Sequence, residues 1–182
     1  MISKFVSFRR DTRGVAAIEM AFVMPFMLVL FFGLIDLTQL ISLNRRVTYA
    51  ASVVADLVTQ NETTVLAASF NDYFNAAKLV MTPADLSDVR VEVYQFRDVG
   101  GTITNQWSRM SADGAACGAP STAGLDTLME DGNDIIVASV CTTYTPYMAT
   151  FLGYTILSGA VPLSEEIALR PRQSTTLNCT GC

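Results

Sequence analysis

The sequence predicts an α+β protein: a long N-terminal helix, a second helix, and an antiparallel sheet of three or four strands. Three observations carry this. Residues 15–35 are apolar except for Glu19, Pro25 and Gly33. The apolar positions then continue at three- and four-residue steps to about Thr59, the period of a helix with one buried face. From Val89 the period changes to two, with Val89, Val91 and Val93 alternating with Arg90, Glu92 and Tyr94. That alternation reads as a strand with one buried face.

The first helix begins behind a basic leader. Lys4, Arg9, Arg10 and Arg13 stand against one acid, Asp11. The 21 residues from Val15 to Ile35 follow with a single charge, Glu19. A helix of that length spans a hydrocarbon core of roughly 30 Å. A carboxylate within such a segment costs roughly 2.5–3.5 kcal/mol on insertion scales. The basic leader places the N-terminal end on the cytoplasmic side by the positive-inside bias. A cleaved secretory signal fits less well. Its apolar stretch is shorter, and its small-residue cleavage site is not matched by Asp36-Leu37-Thr38-Gln39-Leu40. The sequence therefore divides into a leader (1–14), a transmembrane helix (15–36), an amphipathic continuation (37–60) and an outer α+β domain (61–182). In the continuation, Leu40, Val47, Val54 and Leu57 form the stripe expected to pack on the sheet. Pro25 removes a backbone hydrogen bond and is expected to bend or locally unwind the span.

Gln60 to Thr64 is a polar break. Val65, Leu66, Phe70, Phe74, Ala77 and Met81 then fit a second helix ended near Pro83. Asp98-Val99-Gly100-Gly101 signals a turn, and Thr102 to Arg109 is the return strand of a hairpin. Ser111 to Gly124 reads as a loop, and Leu125 to Met129 as a short helical turn. Ile135 to Thr145 is apolar on both faces at its start, which predicts a central strand. Ile156 to Leu163 is ambiguous. Ser164 to Arg170, bracketed by Pro162 and Pro171, predicts an edge strand.

Composition narrows the function. The chain has 12 Lys+Arg and 17 Asp+Glu. Without the leader's four basic residues and one acid, the net charge falls from −5 to −8. This argues against nucleic acid, which calls for a basic footprint. There is no histidine, which removes Ser–His and Cys–His pairs and most zinc hydrolase sites. The carboxylate pairs Glu130-Asp131 and Glu165-Glu166 are adjacent in sequence. On a strand such neighbours point to opposite faces, and on a turn they are solvated. No phosphate loop or dinucleotide fingerprint occurs. These residues predict no enzyme, no cofactor, no metal and no small-molecule substrate.

Four cysteines, Cys117, Cys141, Cys179 and Cys182, all follow the apolar segment. An even number on the outward side suggests disulfides. Three connectivities are possible. Cys117 with Cys141 and Cys179 with Cys182 is favoured, because the last two lie close in a polar tail. A zinc site would want two close pairs, and only Cys179-x-x-Cys182 is close.

At its N-terminal end the chain resembles the TadE-like minor pseudopilins of Tad (tight adherence, Flp pilus) systems. The residues that carry this are Arg13-Gly14-Val15-Ala16-Ala17-Ile18-Glu19-Met20-Ala21-Phe22 with Pro25 after them. Tyr144-Thr145-Pro146-Tyr147 and Leu169-Arg170-Pro171-Arg172 match more loosely at the far end. Met20 stands where the family more usually has an aromatic residue. The resemblance implies a pilin-like fold and cleavage between Gly14 and Val15 by a prepilin peptidase. It also implies that Glu19 pairs with the freed amine of Val15 on a neighbouring subunit. The implied partners are other pseudopilins, the pilus assembly platform, the prepilin peptidase and the inner membrane. The expected location is a single pass through the bacterial inner membrane, with the outer domain periplasmic or carried to the cell surface in a pilus. Two other readings stay beside it: an assembly factor permanently anchored in the membrane, and a periplasmic ligand-binding domain on an anchor.

Overall fold

The computed structural model describes residues 13–147 and 159–182. The leader residues 1–12, and the part of the ambiguous Ile156–Leu163 stretch before residue 159, lie outside them. In chain order the elements are α1 (Arg13–Thr59), β1 (Thr64–Leu66), a 3-10 turn (Ala67–Ser69), α2 (Phe70–Met81), a second 3-10 turn (Leu86–Asp88), β2 (Arg90–Val99), β3 (Thr102–Met110), α3 (Leu125–Leu128), β4 (Asp134–Tyr144), β5 (Val161–Leu169) and β6 (Asn178–Thr180). The α+β class is as expected. The chain divides into two compact units, one holding Met1–Gln39 with Pro146–Gly159, the other Leu40–Thr145 with Ala160–Cys182.

In the first unit, α1 is helical through Pro25, so the local unwinding expected there is not observed. Residues 14–31 are exposed throughout. Phe22 and Phe26 are each 72% exposed. The most apolar window of the helix has a mean hydropathy of 2.3, and none of it is buried. In water such a surface would be strongly unfavourable at about 25 cal/mol per Å² of apolar area. The same surface is what a bilayer accepts from a spanning helix. At the end of the apolar run the side chain of Asp36 is buried, and its Oδ1 accepts a 2.8 Å hydrogen bond from the backbone N–H of Tyr147.

The second unit is built on a four-stranded antiparallel sheet in the order β3-β2-β4-β5. One face carries Val91, Val93, Ile136, Ala138 and Val140 and shares its core with Val47, Ala50, Ala51, Val54, Ala55 and Val58 of α1. The three alanines let the helix approach the sheet closely. Phe70, Phe74, Ala77 and Met81 of α2 complete this core at helical spacing. The opposite face carries Tyr94, Phe96, Ile135 and Val137, covered by Leu125 and Met129.

Several expectations are corrected here. β2 was expected to bury one face and buries both, because the α3 segment covers its second side. Val65 and Leu66 do not start the second helix. They lie on β1, which pairs in parallel with β6 in the tail. Val65 is fully buried in that pairing. Leu57 does not join the core stripe. It is half-buried, and Val58, one position on, is fully buried in its place. Pro162 lies within β5 opposite Thr143 and does not precede the strand. An edge strand tolerates it because the missing N–H can fall on the unpaired side. β4 is central, as its apolar run predicts.

Candidate assembly site

Gly14, Val15 and Glu19 occupy the opening turns of α1. A Cβ added at Gly14 would meet nothing within 4 Å, so no packing demands glycine there. Val15 is 52% exposed, and Glu19 is exposed as well. The four-residue step from Val15 to Glu19 puts both on one helix face, one turn apart. Nearby apolar neighbours are also outward-facing: Ile18 is 60% exposed and Met20 61%. A carboxylate in this setting is surrounded by a surface that would exclude water once covered by lipid or another helix. It would then call for a cation or donor partner.

The cysteines belong to the second unit. Cys117, in the 111–124 loop, is joined to Cys141 on β4 with Cα atoms 5.4 Å apart. Cys179 on β6 is joined to Cys182 with Cα atoms 5.6 Å apart. The first bond ties the loop to the central strand beside a polar cluster on the second sheet face. There Glu92 is almost fully buried and accepts from Arg90 Nε at 3.0 Å, from the Tyr94 hydroxyl at 2.7 Å and from the Cys117 N–H at 3.3 Å. Burial, helped by the hydrogen bond and the negative charge of Glu92, pushes the Tyr94 phenol up to about 12. These contacts satisfy a carboxylate that would otherwise be costly to bury.

Two buried carboxylates, one in an ion pair and one on a backbone N–H, have partners that the sequence does not signal. Arg97 grips Asp134 across β2 and β4, and this hydrogen bond raises the Arg97 guanidinium further above its ordinary value. The sequence marks Asp36 as the last residue of the transmembrane segment and the first of the stretch that does not match a cleavage site. Its neighbours in sequence gave no hint of the Tyr147 backbone that it holds. The pairs Glu130-Asp131 and Glu165-Glu166 form no joint site. Asp131 accepts from Gly100 N–H, Glu130 from Asn133 and Glu166 from Ser121 N–H. Among the described residues no group of three or more His, Cys, Asp or Glu is placed to hold a metal ion.

The family of TadE-like proteins matches residues 14–56. No curated protein and no solved structure matches the chain. The match begins at Gly14, includes Val15 and Glu19, and runs through the apolar helix into the part of α1 that packs on the sheet. Residues 14–56 thus match a TadE-like domain along the N-terminal helix, which supports a protein associated with the Tad pilus.

Proposed function

We propose that this chain is a minor pseudopilin that takes part in assembling a Tad/Flp-type pilus. Its leader is cytoplasmic, its apolar helix crosses the inner membrane, and its second unit is periplasmic. A prepilin peptidase cuts between Gly14 and Val15. The mature chain then joins other pseudopilins and the assembly platform through α1. It performs no catalysis of its own and binds neither nucleic acid nor a small substrate.

One observation carries this reading. The exposed apolar stretch of α1, residues 14–31, bears a single carboxylate, Glu19, five positions after Gly14, inside the segment that matches the TadE-like family. Glycine at the cut site suits a peptidase, since it lets the backbone extend into an active site without a side chain. Cutting there creates a cation, the Val15 amine, beside an apolar helix. A carboxylate and an amine on adjacent subunits then neutralise charges that neither helix could bury alone.

Mass spectrometry of the protein extracted from membranes tests the processing step. The mature species should lack residues 1–14, and Gly14→Leu should leave the precursor intact. Recovery of Met1 from cells with a working peptidase would overturn the step. A permanent membrane anchor is the second reading. The exposure of Glu19 near the start of the helix favours it, since a carboxylate there can reach the membrane surface. Recovery of this chain in sheared surface filaments would exclude that reading.

A further inference from the structure

The two disulfides do different things. Cys117–Cys141 links positions 24 residues apart and fastens a loop to the central strand. Cys179–Cys182 has a sequence separation of 3 and closes only a small ring within the tail. It joins no second element to the tail. The tail is held by other means: β6 pairs with β1 through Thr64–Asn178, Val65–Cys179 and Leu66–Thr180. Leu177 is fully buried, and its N–H donates to Asp134 at 2.6 Å. Its carbonyl accepts from Trp107 Nε1 at 3.1 Å. Asn178 N–H donates to the Thr63 carbonyl at 2.9 Å.

Exposure separates the pairs as well. Cys182 is exposed, whereas its partner Cys179 and Cys117 are both half-buried and Cys141 is 9% exposed on a strand paired on both sides, so only the tail pair offers an exposed cysteine. Gly181 lies in the small ring in the left-handed region at φ +84°, a conformation that suits glycine. A short loop gives the smallest entropic gain from cross-linking, so the bond adds little to folding. A bond that is reachable, adds little stability and fastens nothing distant is suited to being opened and closed.

We propose that Cys179–Cys182 is a thiol–disulfide exchange site, opened by an external dithiol while the fold stays intact. A thiolate of the dithiol attacks Cys182 Sγ, the exposed sulfur. The Sγ–Sγ bond breaks, and its electron pair leaves on Cys179 as a thiolate. The second thiolate of the reagent then displaces Cys182 from the mixed disulfide. The dithiol departs oxidised to its own disulfide, and the two cysteines take up the protons as free thiols. Access and the leaving thiolate govern such rates. The proposal goes beyond the pilus reading and does not depend on it.

The test uses the full chain in detergent micelles, graded dithiothreitol, alkylation and peptide mapping. The single tryptophan, Trp107, reports on the tail because it donates to Leu177. Cys179 and Cys182 should be alkylated at a dithiol concentration at least about tenfold below that needed for Cys117 and Cys141. Trp107 emission should not change over that first step. With a monothiol such as glutathione, the trapped mixed disulfide should lie on Cys182. Simultaneous opening, earlier opening of Cys117–Cys141, or a Trp107 shift during the first step would overturn the proposal. So would alkylation of Cys179 and Cys182 without any dithiol. The doubly substituted Cys179→Ser, Cys182→Ser chain should keep the same opening curve for Cys117–Cys141. A displaced curve would mean that the pairs are coupled, which also overturns it.

Discussion

Arg97 and Asp134 face each other across β2 and β4, and the guanidinium grips the carboxylate with two bonds. Nε donates to Oδ1 at 2.6 Å and Nη2 to Oδ2 at 2.9 Å. The Asp134 side chain is fully buried, whereas Arg97 is 24% exposed. Oδ2 also accepts the Leu177 N–H, so a single carboxylate joins the sheet to the tail. Charge-assisted, forked bonds of this kind are stronger than neutral ones.

Asp134→Ala should therefore be among the most destabilising single changes in the second unit. It removes the partner of a half-buried cation and leaves the buried Leu177 N–H unpaired. The expected loss is about 3 kcal/mol, at the lower end of the range for a broken buried pair because Arg97 retains some water. Chemical denaturation of the chain in micelles measures it. Trp107 emission should shift along with the transition, since Leu177 sits between Asp134 and the indole. A midpoint equal to that of the wild type would show that the bridge contributes nothing.

Tyr94 makes stability fall in alkaline solution. Its folded pKa, about 12, lies above the usual phenol value of 10.0. The native state therefore holds its proton more tightly than the unfolded state. The contribution is complete below pH about 10 and is lost as pH rises through about 12, amounting to at most ~2 kcal/mol. Denaturation midpoints between pH 9 and 12 should decline more steeply in the wild type than in Tyr94→Phe. Parallel curves for the two proteins would refute the assignment.

Phe70→Ala and Leu57→Ala test which helix positions bear the core. Phe70 is fully buried and stacks edge-on against Trp107 with ring centroids 5.5 Å apart. Its truncation should cost about 3–5 kcal/mol. Leu57 keeps contact with solvent, so Leu57→Ala should cost less than about 1 kcal/mol. A large loss at Leu57 would mean that this side of α1 is covered in the native protein.

These contrasts mark how much the sequence disclosed. The long helix was legible from its hydrophobic period, the β2–β3 hairpin from the alternation in β2 and the Asp98–Gly101 turn, and the central β4 from an apolar run on both faces. Leu57 differs from expectation because a helical stripe defines a face about three residues wide, and only packing chooses between neighbours such as Leu57 and Val58. β1 was missed because its three residues gain their partner from β6, more than a hundred positions away. No local pattern records such a pairing. Glu92 and Tyr94 looked like the solvent side of an alternating strand. Tyr94 is covered by the α3 segment and Glu92 is met by the Cys117 loop, and periodicity registers neither. Glu19 stands out in the sequence because a charge within an apolar run is costly, whereas the roles of Gly14 and Val15 rest on the resemblance to TadE-like pseudopilins. Asp36 carried the same signal more faintly, since it stands at the end of the run.

The last prediction concerns Glu19 itself. If the carboxylate only reaches the membrane surface, Glu19→Gln should insert, be processed and reach surface pili normally. If it pairs with the Val15 amine of a neighbouring subunit, the same change should spare insertion and reduce assembly. Glutamine keeps the shape and one acceptor oxygen but removes the charge that a buried amine requires. Leaving that amine unpaired typically costs about 3–5 kcal/mol, enough to deplete a minor subunit from an assembly. The spacing adds a competing route, because Val15 and Glu19 share one face of the same helix and the pair could close within a single chain. Mixed expression separates the two. A Glu19→Gln chain co-expressed with wild type still offers its own Val15 amine to a wild-type carboxylate. Pairing between subunits then predicts partial recovery of the variant in sheared filaments, whereas pairing within a chain predicts none. The measurement is the amount of variant co-purifying with filaments at equal membrane levels, alone and beside wild type. Recovery equal to wild type when expressed alone would remove the assembly role of Glu19 and favour the permanent anchor.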